Sequence, residues 1–349
     1  MVEHITVHLT NRCNLKCTYC HVAADCGRGE GSRVDQRWIE RMLLPSVESV
    51  SIAGGEPFLV KDRLYHFLNE IPESVKSIAV TTNGILLQES DFIKMKKKGI
   101  RLQFSVDGMA EGHEKNRGGY TFQKTMSSIK RALEHKIRVD ILTIVSKKNI
   151  GEMIPYIRMI DALGVDNLTL LHFTPKGRGA FQPEQEISQG EWMQFCYGEL
   201  SKLRDISVRV WVQPRFLTRK QAEKISRVRE VQICNMHRWE YAYIDSVRGD
   251  VYPCGLAFQT DLKIGNLEDA SLDMLVQKAL EDVRVPEECG ECKNHLLCKG
   301  GAKCYAWLAY GDMNQRDPYC SGRDILPICP FPAVQATGRK MKTKRPTIV

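Results

Sequence analysis

"LTNRCNLKCTYCHVA", residues 9–23, sets Cys13, Cys17 and Cys20 at C-x3-C-x2-C spacing, directly after an alternating stretch, "HITVHL", that suits a β-strand. A structural zinc site takes four Cys or His ligands, often as two separated pairs, and three crowded thiols fit it badly. A [4Fe–4S] cluster wants four thiolates. Three on one short loop leave one iron without a protein ligand, open to a substrate or cofactor as positions on catalytic metals are.

The rest of the chain narrows the setting. Its 349 residues allow one or two domains, and 43% hydrophobic with 26% charged residues is ordinary for a globular protein. No apolar run reaches the ~18 residues of a membrane span, and "MVEHITVHLT" has no secretory pattern, so a cytoplasmic location is expected. Thirteen cysteines are unusual there, because a reducing compartment disfavours disulfides and clustered thiols then bind metal or do chemistry. Four (Cys13, Cys17, Cys20, Cys26) fall in the first 26 residues and eight between Cys234 and Cys329, with Cys196 alone between them. Cys196 reads as a small buried hydrophobe and Cys26 as a bystander. The formal charge is +8, with a basic tail, "TGRKMKTKRP", that reads as a solvated end. No interleaved basic and aromatic module points to nucleic acid.

From residue 4 to about 172 strand-like and helix-like stretches alternate. "VESVSIA" (47–53), "VKSIAVTT" (75–82), "IRLQFSV" (100–106), "IRVDILTIV" (137–145) and "NLTLLHF" (167–173) are short β-rich runs. Helical spacing marks "TFQKTMSSIKRALEHK" (121–136) and "EMIPYIRMIDALG" (152–164). Six βα units predict an α/β fold, a parallel sheet curled into a partial (β/α)6 barrel like an incomplete TIM barrel. Turn-rich stretches such as "GGEP" and "TTNG" directly follow strands, and the strands' C-terminal ends carry the site in such folds. After "PKGRG" (175–179) the alternation stops and a charged helical region, roughly 185–230, follows. The expected layout is a barrel over 1–200, a helical bridge over 201–233, an irregular cysteine-rich domain over 234–330 with a hairpin at "YAYIDSVRGDVYP", and a tail over 331–349.

At these residues the sequence resembles the radical S-adenosylmethionine (SAM) enzymes, whose signature is C-x3-C-x2-C after the first strand with an aromatic before the last cysteine, here Tyr19. The resemblance implies a [4Fe–4S] cluster on Cys13, Cys17 and Cys20. Its open iron would chelate SAM, one electron would break the sulfonium C–S bond, and the 5′-deoxyadenosyl radical would take a hydrogen atom from substrate. A low-potential donor of flavodoxin or ferredoxin type is implied as the electron source. "GGEP" (Gly54, Gly55, Glu56, Pro57) stands where the family contacts the SAM amino group. Glycines there permit close approach of backbone to ligand, and Glu56 would accept from the ammonium. Asn83, Ser105 and Asp107 would offer polar groups to the ribose or carboxylate, and Arg117 a bidentate fork to the carboxylate.

The later cysteines resemble the SPASM extension of these enzymes, which binds one or two auxiliary [4Fe–4S] clusters. Cys234, then Gly249-x4-Cys254, match its first half, and Cys289, Cys292, Cys298 and Cys320 match its outer cluster ligands. The pattern departs at residue 302, where the family's cysteine is Ala302 and the nearest thiol is Cys304. That leaves Cys234, Cys254 and Cys304 for an inner cluster, one short of four; a zinc ribbon is the competing use of such cysteines. Gly255 follows Cys254 where sulfatase-maturing relatives carry a basic aspartate, which argues against that role. The chain also opens at strand one, which implies no peptide-recognition domain ahead of it. Most relatives with this extension modify peptides or proteins, so a peptide or protein side chain is the expected substrate. A cofactor precursor such as a haem precursor is the alternative, and a cluster protein that only transfers electrons the second.

Overall fold

A computed structural model describes residues 1–24, 31, 33–212, 215–226, 234–237, 239–322, 324–328 and 347–348. Cys26, Cys329 and nearly all of the basic tail lie outside the described residues.

All six expected strands form: β1 (His4–His8), β2 (Ser49–Ala53), β3 (Ser77–Thr82), β4 (Arg101–Ser105), β5 (Val139–Val145) and β6 (Asn167–His172). They pair in parallel and in sequence order. The helices between them include α1 (Gln36–Met42), α2 (Lys61–Glu70), α3 (Glu89–Lys97), α4 (Ala110–Arg117), α5 (Thr121–Glu134) and α6 (Met153–Asp161). Burying both faces of a parallel sheet asks for near-continuous apolar strands, and "VDILTIV" in β5 is of that kind. Polar side chains inside the sheet pair across strands. Arg101 bonds Asp140, Asn167 donates to Asp140, and Trp211 donates to Asn167.

That last contact comes from a seventh parallel strand, β7 (Arg209–Val212), paired with β6 inside the stretch expected to be a helical bridge. Its four residues are too short for periodicity to announce them; the open edge of β6 supplies the partner. The charged region otherwise holds a helical run over residues 189–202 and a helix at Arg219–Ser226. The helical run includes a π-helical turn, Gln194–Glu199, that buries Cys196 at 1% exposure as expected.

The expected hairpin also forms, but it is not confined to a separate cysteine-rich unit. After β8 (Phe216–Thr218), strands β9 (Tyr241–Asp245), β10 (Asp250–Tyr252) and β11 (Gly265–Asn266) extend the main sheet, β9 lying parallel to β1. Short β12 (Ile325–Pro327) pairs with β8, and β13 (Thr347–Ile348) with β7. The order β11-β10-β9-β1-β2-β3-β4-β5-β6-β7-β13 leaves β1 and β7 unpaired with each other, so the barrel is incomplete. Arg63, buried on α2, fastens the join by donating to the carbonyls of Leu9 and Ser246. No helix among the described residues is long and apolar enough to cross a membrane.

Candidate functional site

A cavity of about 230 Å³ opens at the C-terminal ends of the strands, and Cys13, Cys17 and Cys20 all line it. The loop carrying them is held by its neighbours' backbones. Gly55 donates to the Thr10 carbonyl and Glu56 to the Arg12 carbonyl. A Cβ on Gly55 would collide with Arg12's carbonyl, so only glycine permits this approach. Thr18 donates its amide to the Asn116 carbonyl. Burial pushes the Cys13 thiol up to about 12 and raises Cys17 as well. Such thiols become ligands only when a metal cation displaces the proton from sulfur, so metal uptake here releases protons to solvent.

Tyr19, Gly54, Gly55, Asn83, Ser105 and Arg117 line the same cavity, whereas Glu56, Pro57 and Asp107 do not. Three of the residues expected at the SAM site thus stand behind the cavity wall in this structure, and two of them, Glu56 and Asp107, are engaged with other partners. Glu56 is 1% exposed and accepts from the Asn83 amide, the Thr82 hydroxyl and the Phe58 amide. Its carboxyl ties the end of β2 to the end of β3 and caps the turn at Pro57–Leu59, and burial pushes its pKa up to about 7 against those hydrogen bonds. The glycines, and not the glutamate, face the cavity. Asp107 is fully buried and accepts from Arg117 Nε at 2.5 Å, from the Tyr19 hydroxyl and from the Ile144 amide. It acts through Arg117, holding the guanidinium over the Tyr19 ring at 5.5 Å. A buried pair of this kind fixes the direction of Arg117's remaining donors.

The far wall is apolar: Leu142, Ile144, Leu171, Phe173 and Leu256. His172, at the end of β6, also lines it. Its Nε2 lies 3.1 Å from the Ile187 carbonyl, its Nδ1 has no partner, and burial lowers its pKa to about 4.

The C-terminal cysteines form two groups. Cys289, Cys292, Cys298 and Cys320 line one small cavity of about 30 Å³ with Asn294, His295 and Arg316. Cys234, Cys254 and Cys304 are all buried. Asn235 donates to the Pro253 carbonyl, which brings the neighbourhoods of Cys234 and Cys254 together. The helix Lys303–Tyr310 packs on the turn after Cys254. Ala302 caps that helix with its amide held by Asp317, so the first turn presents Cys304 instead. Among the described residues no three or more His, Cys, Asp or Glu side chains are spaced to hold a single metal ion.

A sequence profile of the Radical SAM superfamily matches residues 7–160, and one of the SPASM iron-sulfur cluster-binding domain matches residues 234–300. The chain belongs to the radical SAM superfamily. Among curated relatives, the AdoMet-dependent heme synthase of Methanosarcina barkeri is 26% identical over 90% of this chain and 95% of that protein. The mycofactocin maturase MftC of Mycobacterium ulcerans is 25% identical over 90% of this chain and 87% of its own. Among solved structures, Streptococcus suis SuiB bound to its precursor peptide SuiA superposes at TM-score 0.71 with 16% identity, over 92% of this chain and 76% of that one. That likeness is one of fold.

As a radical SAM/SPASM enzyme the protein uses a [4Fe–4S] cluster, auxiliary clusters and SAM, and the residues present fit them. Three thiols face a cavity that also presents two glycines and an oriented arginine, and four more close on a second site. When bound, these cofactors supply a carbon-centred radical from reductive cleavage of SAM. The chain's own residues hold the loop that carries Cys13, Cys17 and Cys20 and aim Arg117.

One stretch gave no signal of its role in the sequence beyond its composition. "PKGRG" clamps the cluster loop: Arg178 donates from its backbone to the Cys20 carbonyl and from its side chain to the carbonyls of Cys17 and Ala24. Gly177 has φ +57, and a Cβ there would strike the Cys20 and His21 carbonyls. A cation between two glycines just past the sixth strand was the available clue.

Proposed function

We propose that this radical SAM/SPASM enzyme modifies a side chain of a peptide or protein in the cytoplasm, with Cys13, Cys17 and Cys20 holding the SAM-binding cluster. Cys289, Cys292, Cys298 and Cys320 hold the outer auxiliary cluster, and Cys234, Cys254 and Cys304 serve an inner one. Tyr19, Gly54, Gly55, Asn83, Ser105 and Arg117 contact SAM. A flavodoxin- or ferredoxin-type protein delivers the electron.

The observation that carries the peptide reading is the far wall. Beyond the SAM-facing residues it is largely apolar, with His172 and Thr174 set among Leu142, Ile144, Leu171, Phe173 and Leu256, and the two arginines lining the cavity are held, Arg117 by Asp107 and Arg178 by main-chain carbonyls. An apolar wall accepts an uncharged side chain at low desolvation cost; a multiply carboxylated tetrapyrrole would leave its charges unpaired. The net charge of +8 favours an acidic leader segment, an attraction that weakens with salt. The haem-precursor reading keeps one supporting observation, the match along 95% of the M. barkeri synthase.

The test is co-expression with each short peptide encoded beside the gene. A peptide that loses two hydrogens in mass, with 5′-deoxyadenosine formed alongside, supports the proposal. Unmodified peptides together with turnover of a tetrapyrrole precursor move the assignment to the alternative.

A further inference from the structure

Lys176 stands between two sets of cysteines. It leaves the end of β6 in the "PKGRG" stretch and is 9% exposed. Its Nζ donates to the Phe258 carbonyl at 2.6 Å and to the His21 carbonyl at 3.3 Å. His21 adjoins Cys20 of the radical-generating loop, and Phe258 lies four residues beyond Cys254. The thiols whose charges reach the ammonium are Cys254, Cys20 and Cys304, from both sets. Both of these hydrogen-bond partners are main-chain carbonyls, which neutralise nothing, and no carboxylate among the described residues forms an ion pair with it.

A buried cation is expensive unless something nearby is negative. Thiolate-ligated clusters are negative, and they become more so on reduction. We propose that Lys176 is a fixed positive charge shared by the SAM-binding cluster and the inner auxiliary site, and that it raises the reduction potential of whatever is bound at each. It positions charge and does not touch substrate. This role is independent of what the substrate is. The sign follows from electrostatics: adding an electron beside a cation is easier than adding it without one. The outer site is a built-in control. None of the outer four is among the thiols that reach Lys176, whereas Lys303 is reached by Cys234 of the inner set first and by Cys289 and Cys298 of the outer set after it.

The experiment is a redox titration of the reconstituted full-length enzyme, followed by electron paramagnetic resonance. Wild type is compared with Lys176→Arg, Lys176→Gln and Lys176→Met. Glutamine keeps a donor for the two carbonyls and removes the charge; methionine removes both. The expected result is that both neutral variants make reduction of the Cys13–Cys17–Cys20 cluster about tenfold less favourable, ~59 mV for one electron. The arginine variant should stay near wild type and the outer cluster should not move. Iron content and circular dichroism verify assembly, and if one neutral variant fails to load iron the other gives the reading. An unchanged potential in a neutral variant that assembles overturns the proposal, as does an equal shift in Lys176→Arg, which would mark a purely structural residue.

Discussion

The two lined cysteine sites are built to opposite ends. The trio at the barrel mouth sits on one loop, gripped from outside by "GGEP", by Asn116 and by Arg178, and faces a cavity of about 230 Å³. The quartet in the C-terminal region is assembled from segments that turn on themselves and encloses about 30 Å³. One site is braced from behind so that its front stays open; the other is a narrow crevice with half-buried Cys292 and Cys320 at its edge. The difference teaches which set admits a second molecule and which only holds its own cofactor.

The comparison breaks most sharply at the thiols. Cys17→Ala should abolish 5′-deoxyadenosine formation and remove about four irons, while Cys292→Ala should lose a similar amount of iron and keep SAM cleavage measurable. Equal loss of cleavage in both, read by chromatography of anaerobic reactions, would erase the distinction between an open and a closed site.

The next effect follows from the proposed contact of Arg117 with the SAM carboxylate. Arg117→Lys keeps a charge opposite buried Asp107 but loses the fork, so SAM should bind about tenfold to a hundredfold more weakly, the ~1.5–3 kcal/mol of a charge-assisted hydrogen bond. Arg117→Ala leaves Asp107 buried and unpaired and should cost about 3–5 kcal/mol of stability as well. Isothermal titration and urea unfolding separate the two.

Bracing from behind is tested by Arg178→Ala, which frees the Cys17 and Ala24 carbonyls. A loss of about 1–3 kcal/mol in loop stability is expected, seen as faster chelator removal of iron from the mouth cluster with the quartet's iron unaffected. Equal lability at both sites would mean that the clamp is not specific.

The smallest effect concerns pH. His172 is neutral in the folded chain, its pKa lowered to about 4 by burial first and Arg215 second. The unfolded chain takes up its proton near the ordinary value of about 6.5, so stability is present above that value and is lost as pH falls towards 4. Between pH 7.5 and 5, wild type should lose up to about 2 kcal/mol more than His172→Gln, measured as urea midpoints. Parallel losses would show that the ring is solvated.

Much of the open site was legible in sequence because it is local: a spacing, and glycines placed after strands. What sequence misassigned was direction. Glu56 and Asp107 occupy the expected loops, but the carboxylate of Glu56 turns to two amides and a hydroxyl and that of Asp107 to an amide, a hydroxyl and the Arg117 guanidinium, and sequence does not show those donors. Lys176 and Arg178 escaped because their partners are main-chain carbonyls, which carry no residue identity. The six long strands announced themselves by pattern. β7 and the seat of the hairpin did not, since a three- or four-residue strand is defined by the edge that receives it.

That hairpin has a consequence for how the protein is made. β1 is completed on one side by β9, and His8 meets Tyr243 across a separation of 235 residues. Chains emerge from the ribosome at ~5–20 residues per second, so the edge of the first strand waits roughly ten to fifty seconds for its neighbour. Until then the loop bearing Cys13, Cys17 and Cys20 hangs from a half-finished sheet, without the segment that carries Tyr243 and Leu256 to its wall. Iron loading at the mouth is therefore expected late, after the chain has been made past Leu256, and truncation before residue 241 should yield a chain that aggregates through an uncovered strand rather than a smaller working barrel.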